Sequence, residues 1–295
     1  MMKRIGIYFN PEVKTKEIIF ELLDKFNKTK GLSFYKFEEQ KEIIPPFIMT
    51  INKKDFSKLD GILSFGGDGT FLRATKFSLE TGAPLLGINL GKLGFLSESS
   101  IDELEKSVDD LINNKFNIQK RMLLRITLKR HKKTIFKAIA LNDAVIYKGF
   151  TPKLINLKFY TNERFVLETR SDGIIISTPT GSTAYSLSAG GPIISPLIDA
   201  FVVTQLNPHI LGMRSMVFSP DDRLKFKIKE QECVLQLDGN NVQQLLPGDE
   251  IIIVKASEKV KFFKKSVELR AMNPYERMII HSFLSKDPDV RTESD

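Results

Sequence analysis

Apolar residues recur along this chain with two different periods, and the change falls near residue 117. Before it, short apolar runs alternate with helical patterns. Residues 4–9 (Arg-Ile-Gly-Ile-Tyr-Phe) read as a strand. Ile18, Ile19, Leu22, Leu23 and Phe26 then follow the spacing of one helix face. Residues 32–37, 62–65 and 84–89 are further strand candidates. Helices are expected to start at Phe71 and near Ile101, where Ser100 and Glu103 have the spacing of a capping box ahead of Leu104, Val108 and Leu111. Alternating strands and helices predict an α/β domain with a parallel, Rossmann-like sheet covered on both faces. Ligands of such sheets sit beyond the carboxyl ends of the strands.

After residue 117 the period is two. Leu124, Ile126 and Leu128 alternate with Arg125, Thr127 and Lys129. Ile155, Leu157 and Phe159 do the same, and so do Leu224, Phe226 and Ile228. Many short strands joined by turns predict an all-β, antiparallel, sandwich-like domain. The expected organisation is an α/β phosphate-binding domain over 1–115, a β-rich domain over 116–270 and a C-terminal segment over 271–295. The tail of that segment, from Ser285, is charged and turn-rich.

Composition narrows the function. With 295 residues and 42% hydrophobic residues, the chain can bury a sizeable core. One cysteine rules out an internal disulfide framework and fits a reducing, cytoplasmic setting. Cys233 lies in a strand pattern and reads as a small buried hydrophobe. His131, His209 and His281 are far apart and lack metal-ligand spacing, so no protein-held metal is expected. No apolar run reaches the ~18 residues of a membrane span, and the first apolar run is too short for a signal peptide. A net charge of +8 fits either lysines spread over solvated faces or a polyanionic ligand. Nucleic acid is not expected as a partner: Trp is absent, and the lysines alternate along strands instead of clustering with aromatics.

The chemistry concentrates in glycine-rich stretches. Gly66-Gly67-Asp68-Gly69-Thr70 follows a strand and precedes a helix. Such a turn points amides and the positive end of a helix dipole at a phosphate. It is neither a Walker A motif nor a dinucleotide fingerprint. A carboxylate there would repel phosphate, so Asp68 is expected to handle a hydroxyl that receives the phosphoryl group. Arg73, one turn into the helix, either offsets phosphate charge or is a surface arginine. Gly87, Gly91 and Gly94 end another parallel strand, on the same rim as Asp68. The run from Thr178 to Tyr185 carries four hydroxyls and a glycine besides the tyrosine, and reads either as a surface turn or as a loop presenting hydroxyls and a ring to a nucleotide. Asn142-Asp143 interrupts an alternating strand, as a turn or bulge or as a ribose-binding pair. His209 reads as structural, and Asp238-Gly239 as a hairpin turn.

Taken together, residues 66–70, 87–95, 142–143, 171–191 and 238–239 closely resemble the NAD kinase family, in its order and spacing. The block 171–191 is highly specific, whereas diacylglycerol and sphingosine kinases share the 66–70 turn. The resemblance implies an α/β domain followed by a β-rich domain, with a last segment, here from Asn273 through Leu284, returning to the first. It implies transfer of the ATP γ-phosphoryl group to the 2′-hydroxyl of the adenosine ribose of NAD, with a lipid kinase as the alternative. Asp68 would be the catalytic carboxylate, and Gly66 and Gly67 would bind phosphate together with Gly69, which also reaches NAD. Asn142 and Asp143 would hold NAD hydroxyls. Phe95, Thr183, Ala184, Tyr185 and Ser188 would line the adenine side. Asp172 would reach NAD from a neighbouring subunit of a homodimer or homotetramer. Mg²⁺ or another divalent cation would arrive with ATP. Two departures stand out: Arg214-Ser215 replaces the family's Arg-Pro, and residues 30–55 show no likeness.

Overall fold

The computed structural model describes residues 2–13, 16–46, 48–91, 94–150, 152–209 and 212–265. The expected returning segment, 271–295, lies outside the described residues, as does His281. The remainder builds one α/β layer and one β-sandwich.

The α/β layer is an eight-stranded sheet. Its strands run in the order Met49–Thr50, Ser33–Lys36, Arg4–Phe9, Gly61–Phe65, Leu85–Asn89, Val260–Lys265 and Phe116–Arg121, with Ser99–Ser100 pairing the end of Leu85–Asn89. The first five are parallel throughout, in register from Ile5 opposite Gly61 to Phe65 opposite Ile88. Helix Lys16–Lys30 buries Ile19, Phe20, Leu23 and Phe26 against the sheet's core cluster, as the spacing predicts. Ile18, placed on that face by the same pattern, is instead exposed. The capping box at Ser100 and Glu103 is present and starts a short 3₁₀ turn that runs into helix Leu104–Ile112. Strand order reverses between Arg4–Phe9 and Gly61–Phe65, and this opens a crevice at their carboxyl ends.

Phe116–Arg121 and Val260–Lys265 both belong to this sheet, so the chain leaves it after Arg121 and comes back by Val260. Between them lie two six-stranded sheets whose pairings are antiparallel. One holds Met216–Phe218, Phe201–Leu206, Gly173–Ser177, Asp143–Tyr147, Cys233–Leu237 and Asn240–Leu245. The other holds Arg164–Ser171, Ile155–Thr161, Leu224–Ile228, Glu250–Lys255, Leu124–Arg130 and Lys133–Ala140. The alternating residues 124, 126, 128, 155, 157, 159, 224, 226 and 228 fill one buried cluster between them. A further apolar cluster joins sandwich and α/β layer: Phe71 and Leu96 pack there with Leu123, Leu141 and Phe262.

Candidate active site

The site is built from two turns, one contributed by each layer. Strand Gly61–Phe65 is fully buried and ends at Gly66. Helix Asp68–Thr81 starts two residues later, with Gly67 as its N-cap. The Gly67 carbonyl accepts the amides of Thr70 (2.9 Å) and Phe71 (3.1 Å). The amides of Gly67, Asp68 and Gly69 precede the first intrahelical acceptor and stay available to a ligand. The Gly66 amide is already spent on the Ile88 carbonyl at 3.0 Å. Gly66 instead makes the sharp turn, at φ 154°, where a Cβ would overlap Thr70. Asn10, Pro11 and Glu12, following strand Arg4–Phe9, face this turn across a cleft of about 540 Å³. Gly67, Gly69, Thr70 and Arg73 line its other side. This is the crevice where strand order reverses. Arg73 Nη2 donates to Thr70 Oγ1 at 3.3 Å, which places the guanidinium at the cleft and not out on the open surface.

Asp68 is oriented by the neighbouring loop. Its Oδ2 accepts the Phe95 amide at 2.9 Å, and Oδ1 accepts the Leu96 amide at 3.2 Å. A Cβ at position 94 would fall on the Asp68 carboxylate, so Gly94 is what lets the loop close over it. The rim predicted from Gly87, Gly91 and Gly94 therefore does border Asp68. Phe95 itself is 69% exposed, with its ring free to stack.

The second turn is the break before strand Asp143–Tyr147. Every backbone polar group of residues 141–143 has a partner. The amides of Leu141, Asn142 and Asp143 donate to the Asp238 carboxylate at 2.8, 2.7 and 3.1 Å. Thr178 Oγ1 donates to the Leu141 carbonyl at 2.6 Å, and the Thr178 amide to that of Asn142 at 2.9 Å. The Asp238 amide donates to the Asp143 carbonyl at 3.1 Å. Gly181 lies so close to the Asn142 carbonyl that a Cβ there would overlap it. Asn142 and Asp143 are buried, and Asn142 Oδ1 has no hydrogen-bond partner. Burial first, then the Asp238 charge, push Asp143 up to about 7. Burial also raises Asp238, against the three amides that favour its ionised form.

The hydroxyl-rich stretch differs from its expected role. It forms 3₁₀ turn Thr180–Thr183 and a single helical turn, Tyr185–Ser188. Three of its hydroxyls donate to the protein's own carbonyls: Thr178 to Leu141, Ser182 to Pro179 and Thr183 to Thr180. A loop clamped over buried backbone needs those donors for itself. Left outward are Tyr185 and Ser188, both exposed, with Thr183 and Ala184 half-buried. Asp172 accepts hydrogen bonds from Asn207 Nδ2 (2.9 Å) and Lys148 Nζ (2.6 Å) of its own chain. Those two donors hold its carboxyl below the usual range. His209 is exposed and touches none of this. Asp238 is the residue that sequence reasoning undervalues. Its hairpin turn is present, with Asp238 at φ 46° and Gly239 at φ 82°, but its side chain reaches back to hold residues 141–143.

Comparison with known proteins agrees across both layers. Residues 6–116 match the ATP-NAD kinase N-terminal domain and residues 141–265 the C-terminal domain. The first match spans residues 30–55, where the sequence alone shows no likeness. An NAD kinase of Acetivibrio thermocellus is 42% identical over 200 residues, 67% of this chain and 69% of that one. One from Ruminiclostridium cellulolyticum is 35% identical over 270 residues, 89% and 93% of the two chains. The crystal structure of yeast NADH kinase complexed with NADH superposes with a TM-score of 0.79 at 27% identity, covering 99% of this chain and 90% of that one. An Archaeoglobus fulgidus NAD kinase in complex with ATP shares the fold, with a TM-score of 0.69 at 23% identity, covering 89% and 94%. A further small domain family matches residues 251–295 and overlaps the kinase match over 251–265. By its two domain matches and its relatives over most of their length, this chain belongs to the ATP-NAD kinase family.

Proposed function

We propose that the two turns form one site for the NAD kinase reaction, with the phosphoryl donor on the helix side and the dinucleotide against the sandwich. The reaction transfers the γ-phosphoryl group of ATP to the 2′-hydroxyl of the adenosine ribose of NAD, giving NADP and ADP. The 2′-oxygen forms a bond to the γ-phosphorus as the bond to the β,γ-bridging oxygen breaks. Asp68 orients the hydroxyl and takes its proton. Gly67 and Gly69, with the amide of Asp68 between them, give the phosphates their backbone donors. Gly66 turns the chain beneath them, Gly69 also borders NAD, and Arg73 offsets the phosphate charge. Phosphoryl transfer needs this positioning and charge compensation more than covalent help. Mg²⁺, or another divalent cation, enters with ATP as part of the substrate and neutralises charge on its phosphates.

Asn142 and Asp143 take hydroxyls of NAD. Phe95, Thr183, Ala184, Tyr185 and Ser188 take the adenine side. Asp172 reaches the dinucleotide of a neighbouring subunit in a homodimer or homotetramer. The exposed apolar residues Tyr185, Leu187, Ile193, Leu197 and Ile198, close together in the chain, support such a contact. No described helix is long and apolar enough to cross a membrane. With a single buried cysteine and no disulfide to maintain, we place the protein in the cytoplasm.

The observation that carries this reading is the placement of Asp68: a carboxylate held by the Phe95 and Leu96 amides at the mouth of a helix N-terminus. The family matches favour it over the lipid kinase alternative. The test is to incubate the protein with MgATP and NAD and read NADP with an NADP-specific dehydrogenase, with diacylglycerol as a parallel acceptor. NADP formation without lipid phosphorylation is expected; the reverse pattern would overturn the reading.

A further inference from the structure

The three amides on Asp238 are an unusual use of a hairpin residue. Hairpin turns with two left-handed residues need only Asn, Asp or Gly for their backbone. Here the side chain leaves its own turn and crosses to a segment 95 to 97 residues earlier. It takes every amide of that segment, while Thr178 takes two of its carbonyls. With the backbone fixed, the side chains of Asn142 and Asp143 are what remains for a ligand. A buried acceptor without a partner, such as Asn142 Oδ1, is unfavourable unless something donates to it. A ribose hydroxyl is such a donor.

We infer that Asp238 is a positioning residue for the dinucleotide: its carboxylate sets the Leu141-Asn142-Asp143 backbone so that the two polar side chains meet the substrate hydroxyls, and its charge tunes the neighbouring carboxyl of Asp143. The inference rests on the proposed NAD-binding role of Asn142 and Asp143. The elements packed on Asp143 are few. Strand Gly173–Ser177 brings the Ser177 hydroxyl opposite it, buried and unpartnered. The Thr180–Thr183 turn, packed on Asn142, brings hydroxyls and no charge. Strand Cys233–Leu237 ends in Asp238, the one charge acting on Asp143 among the described residues. Burial and that charge hold Asp143 at about 7, so its ionisation falls where the enzyme works.

The test measures kcat and the KM for NAD across neutral pH, at saturating MgATP, in wild type and in Asp238→Asn. Asparagine tolerates the left-handed backbone of this position but carries no charge. The expected result is a KM for NAD raised on the order of tenfold, with kcat much less affected. The midpoint of its pH dependence moves down by about one unit, since a like charge has been removed. Asp238→Gly, unstrained at this φ, removes the carboxylate altogether and is expected to raise KM further. Unchanged KM and midpoint in folded Asp238→Asn would overturn the inference. A wild-type KM that does not vary through pH 7 would overturn it without any variant. Asp143→Asn separates the two levels: if it abolishes the pH dependence while Asp238→Asn does not shift it, Asp238 is only a hairpin residue. If Asp143→Asn leaves NAD binding unchanged, the role of Asp143 itself is wrong.

Discussion

The two turns of the site solve opposite problems. At residues 66–70 the backbone is left open: amides at the start of a helix have no internal acceptor and face the cleft. The one functional side chain there, Asp68, is held by amides of another loop. At residues 141–143 the backbone is closed, its amides on Asp238 and its carbonyls on Thr178 and Asp238, and the side chains are left open. Phosphates have oxygens in every direction and suit a ring of backbone donors. Sugar hydroxyls need few, directional partners, which side chains on a fixed backbone provide. The chemistry of each ligand half thus matches the half of the protein whose groups are free.

This contrast can be broken at either turn. The largest effect is expected for Asp68→Asn, with kcat lowered about 10²–10⁴-fold by loss of the base. Calorimetric titration should still show NAD binding; turnover at wild-type level would remove Asp68 from the mechanism. Next comes Gly94→Ala, whose methyl displaces the Asp68 carboxylate. A drop in kcat of roughly 10–10² is expected, with KM for NAD nearly constant; a rise in KM alone would mean that the loop binds rather than orients. Gly181→Ala pushes on the Asn142 carbonyl. It should cost about 1–3 kcal/mol of stability and raise KM for NAD, while KM for ATP holds. Equal changes in both constants would show that the two turns are not independent.

A smaller effect tests the closed turn through stability. Asp143 lies at about 7, above the usual carboxylate value, so the fold favours its protonated form. That contribution is full below about pH 4 and is lost as pH rises through 7. Asp143→Asn should therefore be more stable than wild type above pH 7, by a few kcal/mol at most, and the gap should close toward pH 4. Urea unfolding at acid and alkaline pH reads this directly, and a gap independent of pH would contradict it. The smallest effect is expected at Arg73. Its alanine variant should raise KM for ATP by about 1 kcal/mol equivalent or less, since the guanidinium stands at an open cleft. A changed KM for NAD instead would place it on the wrong side of the site.

Patterns that depend on neighbours along the chain are legible in the sequence. The strand before Gly66, the capping box at Ser100 and the alternation through residues 124–128 are local, and each forms as read. The rim position of residues 87–95 follows from parallel-sheet topology alone. Long-range choices are not legible. Nothing local says that Phe116–Arg121 and Val260–Lys265 join the first sheet, because a period-two strand looks alike in either layer. The hydroxyls of Thr178, Ser182 and Thr183 look available in the sequence because their acceptors include a carbonyl 37 residues away and turns that exist only in the folded chain. Asp238 fits a hairpin so well that its second partner, the 141–143 backbone, leaves no trace in its own neighbourhood.

The claim that both turns serve one dinucleotide is tested most directly by a crystal structure of the protein with NAD bound. The Asp68 carboxylate should lie within hydrogen-bonding distance of the adenosine 2′-hydroxyl, with Asn142 and Asp143 on sugar hydroxyls of the same molecule. A dinucleotide whose adenosine sugar lies away from Asp68, or which touches only one of the two turns, would contradict it.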